Sequence, residues 1–160
     1  MSPERSVQGF TLIEMVVTVV IVSVLSLMAL PLTELVVQRD REQDLRIALR
    51  QIREGIDAYK QAYDTGHIEQ KLDASGYPPK LEDLVVGVDD AASAEPRKLY
   101  FLRRLPRDPF VTDPNVSAAD SWGKRSYESP PDNPQEGDDV YDVYALSDGK
   151  GINGIPYAEW

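Results

Sequence analysis

Gly9-Phe10-Thr11-Leu12-Ile13-Glu14, followed by an uncharged apolar run from Met15 to Leu32, decides how this chain is read. Valine, isoleucine and leucine dominate the run, which favours a helix buried in an apolar medium. As a helix, Phe10 to Pro31 would extend about 33 Å, against a bilayer hydrocarbon core of about 30 Å. A charge inside such a helix costs roughly 2.5–3.5 kcal/mol on insertion scales, so it normally has a task. Glu14 lies about one turn inside the helix, where snorkelling toward the interface reduces that cost.

Two other readings of the N-terminus compete. A secretory signal has a basic start, a short apolar core and a small-x-small cleavage site. Here Glu4 offsets Arg5, the apolar run is long, and Ser26-Leu27-Met28 is a poor cleavage site. A plain signal anchor fits the length. Loop charge opposes an outward C-terminal side, because Arg39, Arg41, Arg46 and Arg50 follow the run while Arg5 alone precedes it. The motif at Gly9 to Glu14 is taken to override that charge rule.

That motif resembles the class III leader junction of type IV pilins and type II secretion pseudopilins. The resemblance implies that a prepilin peptidase cuts after Gly9 and methylates the new N-terminal Phe10, so that residues 1–9 are a leader. It implies that the Glu14 carboxylate pairs with the Phe10 amine of a neighbouring subunit and sets axial register in a filament. Pro31 matches a family proline near which the helices loosen; it has no N–H to give Leu27, so a kink or loosening is expected.

The remaining residues suffice for one small domain. The net charge of the 160-residue chain is −10, and residues 107–160 carry eleven Asp or Glu against four Lys or Arg, net −7. Such a surface disfavours nucleic acid and anionic membranes, which need basic patches. Cysteine is absent, which excludes a disulfide, a Cys-ligated zinc site and a thiol nucleophile. Type IV pilins that staple their C-terminal loop with a disulfide differ in this respect; the pseudopilin branch fits better.

From Thr33 the sequence turns mixed-charge. Leu45, Leu49, Ile52, Ile56, Tyr59 and Tyr63 recur at steps of four and three, one stripe of an amphipathic helix that Gly66 would end. Glu42–Arg46, Arg50–Glu54 and Arg53–Asp57 have the spacing of surface ion pairs. The stripe predicts an apolar partner, most simply a small sheet. Tyr77-Pro78-Pro79 predicts a helical turn over Lys80–Val86 with Leu81, Leu84 and Val85 inward. Residues 87–96 read as a surface loop, Lys98–Leu102 as a short strand or turn, and 106–124 as a long ordered loop. Arg125–Glu128 and Val140–Leu146 read as strands joined by Ser129–Asp138.

The second half also resembles the major pseudopilins, through Tyr77-Pro78, Leu81-Glu82-Asp83-Leu84, Asp108-Pro109-Phe110, Asp120-Ser121-Trp122-Gly123 with Tyr127, Tyr141-Asp142-Val143-Tyr144-Ala145-Leu146, and Asp148-Gly149. Members of that branch bind calcium in the loop after the last strand. Leu146 and Asp148 match two ligand positions, and where the branch has later aspartates this loop offers only the Asn153 amide, so calcium is a possible cofactor. Calcium wants six to eight oxygens, and one carboxylate makes a weak site. The alternative is two turns, with Ile155, Tyr157 and Trp160 packing the chain end. His67, the single histidine, reads as a helix-end residue rather than a ligand. No catalytic constellation or phosphate loop is present, so no enzyme is expected.

The expected fold class is α+β, a pilin-like long N-terminal α-helix packed on a small antiparallel β-sheet. The expected organisation is a leader over 1–9, a transmembrane and filament-core helix over 10–32, the amphipathic half of that helix over 33–66, and a small periplasmic α+β part over 67–160. The expected function is a structural pseudopilin that polymerises through its N-terminal helix to drive protein export. Its expected partners are other copies of itself, minor pseudopilins, the prepilin peptidase, and an inner-membrane assembly platform with its ATPase. It would wait in the inner membrane with its C-terminal domain in the periplasm. The alternatives are a type IV pilus subunit serving adhesion, twitching or DNA uptake, and a signal-anchored periplasmic domain that never polymerises.

Overall fold

The computed structural model describes residues 10–160, with the backbone alone over 27–33. The leader and Gly9 lie outside the described residues. Helix α1 spans Leu12–Asp64 and runs through Pro31 with no break in helical assignment. The Pro31 side chain lies outside the described residues. Contacts divide the chain into two compact units, one ending at Arg39 and one running from Asp40 to Trp160.

In the first unit the apolar side chains of residues 10–25 have no protein cover, and Phe10 is 85% exposed. The hydroxyls in this stretch are turned inward on the helix. Thr18 donates to the Glu14 carbonyl, Ser23 to Val19 at 2.7 Å and Ser26 to Val22 at 2.8 Å. Back-bonding of this kind satisfies a hydroxyl without water, as an apolar medium requires.

The second unit holds the core. Leu45, Leu49, Ile52, Ile56 and Tyr59 of α1 are buried, while Tyr63 packs half-buried beside them. Each fully buried aliphatic side chain contributes about 1.5–3 kcal/mol. Gly66, at φ +78°, stops the helix. Its N–H donates to Tyr63 (3.1 Å) and the His67 N–H to Ala62 (2.9 Å), closing the last turn in a Schellman arrangement that a residue with a Cβ would strain.

Helix α2 covers only Asp83–Val86; ahead of it the chain turns through i→i+3 bonds, Asp83 N–H to the Lys80 carbonyl and Leu84 N–H to Leu81, and the Asp83 carboxylate accepts from the Lys80 N–H at 3.2 Å. Leu81 and Leu84 face the core, and Val85 is half-buried. Strands β1 (Val88–Asp89) and β2 (Lys98–Leu99) pair antiparallel, so the expected loop over 87–96 is partly a hairpin. Its tip is fixed by the buried Asp90, which accepts from His67 Nδ1 (2.9 Å) and pairs with Arg97 (3.3 Å). The His67 hydrogen bond holds the Asp90 carboxyl below the usual range.

Strands β3 (Trp122–Arg125) and β4 (Asp142–Ala145) form a second antiparallel pair, with Gly123 opposite Tyr144. The strand expected at Arg125–Glu128 begins earlier, at Trp122, inside the stretch 106–124 expected to be a long loop. A Cβ on Gly123 would meet the Tyr144 ring at 2.3 Å. This glycine lets the Tyr144 ring cross the strand. Trp122 is 1% exposed and donates through Nε1 to the Pro106 carbonyl at 2.9 Å, tying the 106–121 loop to the core. The fold is α+β, a long N-terminal helix carrying two small antiparallel sheets.

Asp108 in that loop is 1% exposed. One carboxylate oxygen accepts from the Phe110 N–H at 2.8 Å; the other is buried without a partner among the described residues. Burial raises its pKa above the ordinary aspartate value, and the Phe110 hydrogen bond opposes that shift in part. A carboxyl raised on folding favours the folded state fully below its unfolded pKa, and the contribution is lost as pH rises through the folded value. Asp108→Asn is therefore expected to raise stability at pH 7 by about 1 kcal/mol and to have no such benefit near pH 3, as read by denaturant melts at the two pH values.

Candidate functional site: the helix start and the C-terminal clamp

The N-terminal site is built on Thr11 and Glu14, spaced as the cap and third residue of a helix. The Thr11 N–H and hydroxyl both donate to Glu14 Oε2, at 2.9 and 2.8 Å, and the Glu14 N–H donates back to the Thr11 hydroxyl at 3.3 Å. This is a capping box, in which two otherwise orphaned donors are satisfied reciprocally. The sequence reading assigned Glu14 a partner on another subunit and missed this bond, although Thr-x-x-Glu before an apolar run is its signature. The cap holds the carboxylate at the positive end of the helix dipole. It leaves Glu14 Oε1 exposed and without a partner among the described residues.

Among the described residues no helix is long and apolar enough to cross a membrane. The stretch expected to cross, residues 10–32, includes 27–32, whose side chains lie outside those residues. What remains is an apolar helix start with its hydroxyls bonded back to the helix and its outer surface uncovered. Patches of that size mark contact with lipid or with other protein.

The model of the prokaryotic N-terminal methylation motif matches residues 5–30. The chain carries a type IV pilin-like methylation motif. Such a motif implies processing by a prepilin peptidase and pilus-type assembly, and it suggests a membrane-anchored N-terminus. No curated protein and no solved structure matches the chain.

The second constellation holds the C-terminal loop. Glu42 of α1 is 5% exposed, and its Oε1 accepts from the Ile152 N–H (2.8 Å) and the Tyr157 hydroxyl (3.1 Å). Arg46 lies over the Trp160 ring at 4.3 Å. Arg53 donates through Nε to Asp142 (2.8 Å), and through Nη2 to the main-chain oxygens of Val143 (3.1 Å) and Trp160 (2.9 Å). The expected surface pairs Arg53–Asp57 and Arg50–Glu54 do not form among the described residues; Arg53 reaches instead to β4 and the chain end. Glu42 stands 4.0 Å from Arg46, at the limit of a pair, while its other oxygen serves the loop. Spacing alone gave no signal for either tertiary role.

Tyr157 is buried between Phe110 (4.3 Å, stacked) and Trp160 (5.0 Å, edge-on). Trp160 is half-buried. Ile155, expected to pack, is exposed, and it holds the turn through its backbone: its carbonyl accepts from Gly151 (2.8 Å) and from the Trp160 indole (3.3 Å). Of the three calcium candidates, Leu146 and Asp148 are exposed, and the Asn153 side-chain oxygen accepts from the Ile155 N–H at 3.1 Å. Among the described residues no group of three or more His, Asp or Glu is placed to hold a metal ion.

Glu42→Ala leaves the Ile152 N–H and the Tyr157 hydroxyl without this acceptor, at a cost of about 1–3 kcal/mol. A fragment of residues 40–160 carrying the change is expected to melt lower, with faster amide exchange confined at first to residues 149–160. A chelator is expected to leave the wild-type fragment's melting temperature unchanged.

Proposed function

We propose that this chain is a pseudopilin, a structural and non-catalytic subunit of a type II secretion pseudopilus. The observation that carries the reading is the uncovered apolar helix start, headed by a capped glutamate within a methylation motif. Before assembly, lipid covers residues 10–32 in the inner membrane, with residues 67–160 in the periplasm. After cleavage at Gly9, the Phe10 ammonium of one copy meets Glu14 of its neighbour. Oε2 remains bound to Thr11, and Oε1 is the acceptor for that ammonium. Pairing removes two charges from an apolar filament core, where either one alone would be costly. An assembly ATPase and platform protein supply the work of extraction, and minor pseudopilins start the filament.

The secretion branch is favoured over the pilus branch by the cysteine-free C-terminal loop, held here by Glu42 and Arg53 instead of a disulfide. A pilus subunit used for adhesion, twitching or DNA uptake remains the alternative; deletion of the gene would then remove surface filaments and leave protein export intact.

Mass spectrometry of the membrane-extracted protein is expected to find a chain beginning at N-methylated Phe10; a start at Met1 would overturn the reading. Glu14→Gln keeps the helix cap through its amide oxygen but cannot pair with an ammonium. It is expected to insert normally and to lower filament yield on the order of tenfold, the factor given by about 1.4 kcal/mol. Normal filament yield would instead favour an anchored domain whose helix is covered by lipid alone.

A further inference from the structure

Two stretches of the second unit carry opposite charge. Residues 97–107 hold five Lys or Arg and no acid; residues 128–139 hold five Asp or Glu and no base. In a chain of net charge −10 the basic stretch stands out. Part of it serves the fold. Arg97 pairs with Asp90, and Arg107 donates to the Val111, Asp113 and Val116 carbonyls. Arg103 and Arg104 do neither. Both are exposed, and neither has a hydrogen bond or ion pair among the described residues. They line a cavity with Glu54 and Gly55 of α1.

The acidic stretch is similarly divided. Asp139 accepts from the Tyr127 N–H, and Glu136 stands 3.8 Å from Lys124. Glu128 and Asp138 are exposed and without partners among the described residues, and they line another cavity, beside Tyr127. The two cavities share no lining residue, and no ion pair among the described residues joins the stretches. The charges are therefore not neutralised by each other within one copy.

We infer that Arg103 and Arg104 of one subunit dock against Glu128 and Asp138 of a second copy of this chain. The inference rests on the pseudopilin reading above. The contact is heterologous, with different patches on the two sides, so it repeats from copy to copy and propagates a filament instead of closing a dimer. It supplies a second register signal outside the helical core. Unlike the Phe10–Glu14 pair it is exposed to solvent, so it is screened by salt over about 8–10 Å. Guanidinium groups suit the role because their planar fork binds carboxylates through two parallel hydrogen bonds.

The test is filament yield from the full-length chain, co-expressed with its peptidase and assembly machinery, with the membrane pool of subunit as control. Reversing the bases (Arg103→Glu with Arg104→Glu) places like charges together and is expected to cut yield on the order of tenfold. Reversing the acids (Glu128→Arg with Asp138→Arg) is expected to do the same. All four changes in one chain restore opposite charges across the contact and are expected to restore yield, which also shows that the variants fold. Wild-type yield from the arginine variant overturns the contact while leaving the pseudopilin reading standing. Loss without restoration in the fourfold variant also overturns it, since the arginines would then face another anion such as a lipid headgroup. A wild-type chain that forms no filament overturns both.

Discussion

Everything in the second unit depends on one apolar row of α1, from Leu45 to Tyr59. The two sheets it carries are two-stranded, and a lone strand pair of that size is marginal in water. They persist because Trp122, Val143 and Ala145 of one pair are buried in a single core with the row, and Val88 and Leu99 of the other pack against that core. Backbone pairing sets their register, and burial on the helix supplies their stability.

Charges beside the row fix the chain end. Glu42 and Arg53 lie 11 positions apart on α1, close to three turns, and so project from nearly the same side of the helix. Glu42 receives donors from the loop after β4, and Arg53 donates to β4 and to Trp160. A loop that a disulfide or a metal ion would otherwise tie is held by hydrogen bonds to charged groups, the stronger kind.

The first unit follows a different rule. Between Thr11 and Ser26 one Glu14 oxygen is bound in the Thr11–Glu14 box, and the hydroxyls of Thr18, Ser23 and Ser26 are bonded back to helix carbonyls. Hydroxyls held in this way ask nothing of the surrounding medium. The capping box uses one oxygen of Glu14 to order the helix start and leaves the other exposed.

The sequence by itself determined what depends on local chemistry and periodicity. The apolar run, the motif at Gly9 to Glu14, the stripe from Leu45 to Tyr63 and the stop at Gly66 are all written in neighbouring residues, because helix faces and caps are set within a few turns. The Thr11–Glu14 box was equally local and was simply overlooked. Tertiary structure alone decided what depends on residues far apart in the chain. The start of β3 at Trp122 needed the Tyr144 ring, which lies across Gly123. The hairpin at Val88–Leu99 needed His67 to hold Asp90. Glu42 and Arg53 read as ordinary surface charges at i,i+4 spacing, since a charge pattern on one helix carries no record of hydrogen-bond partners more than 80 residues away. Only packing of the last strand and loop onto that face turned them into the clamp.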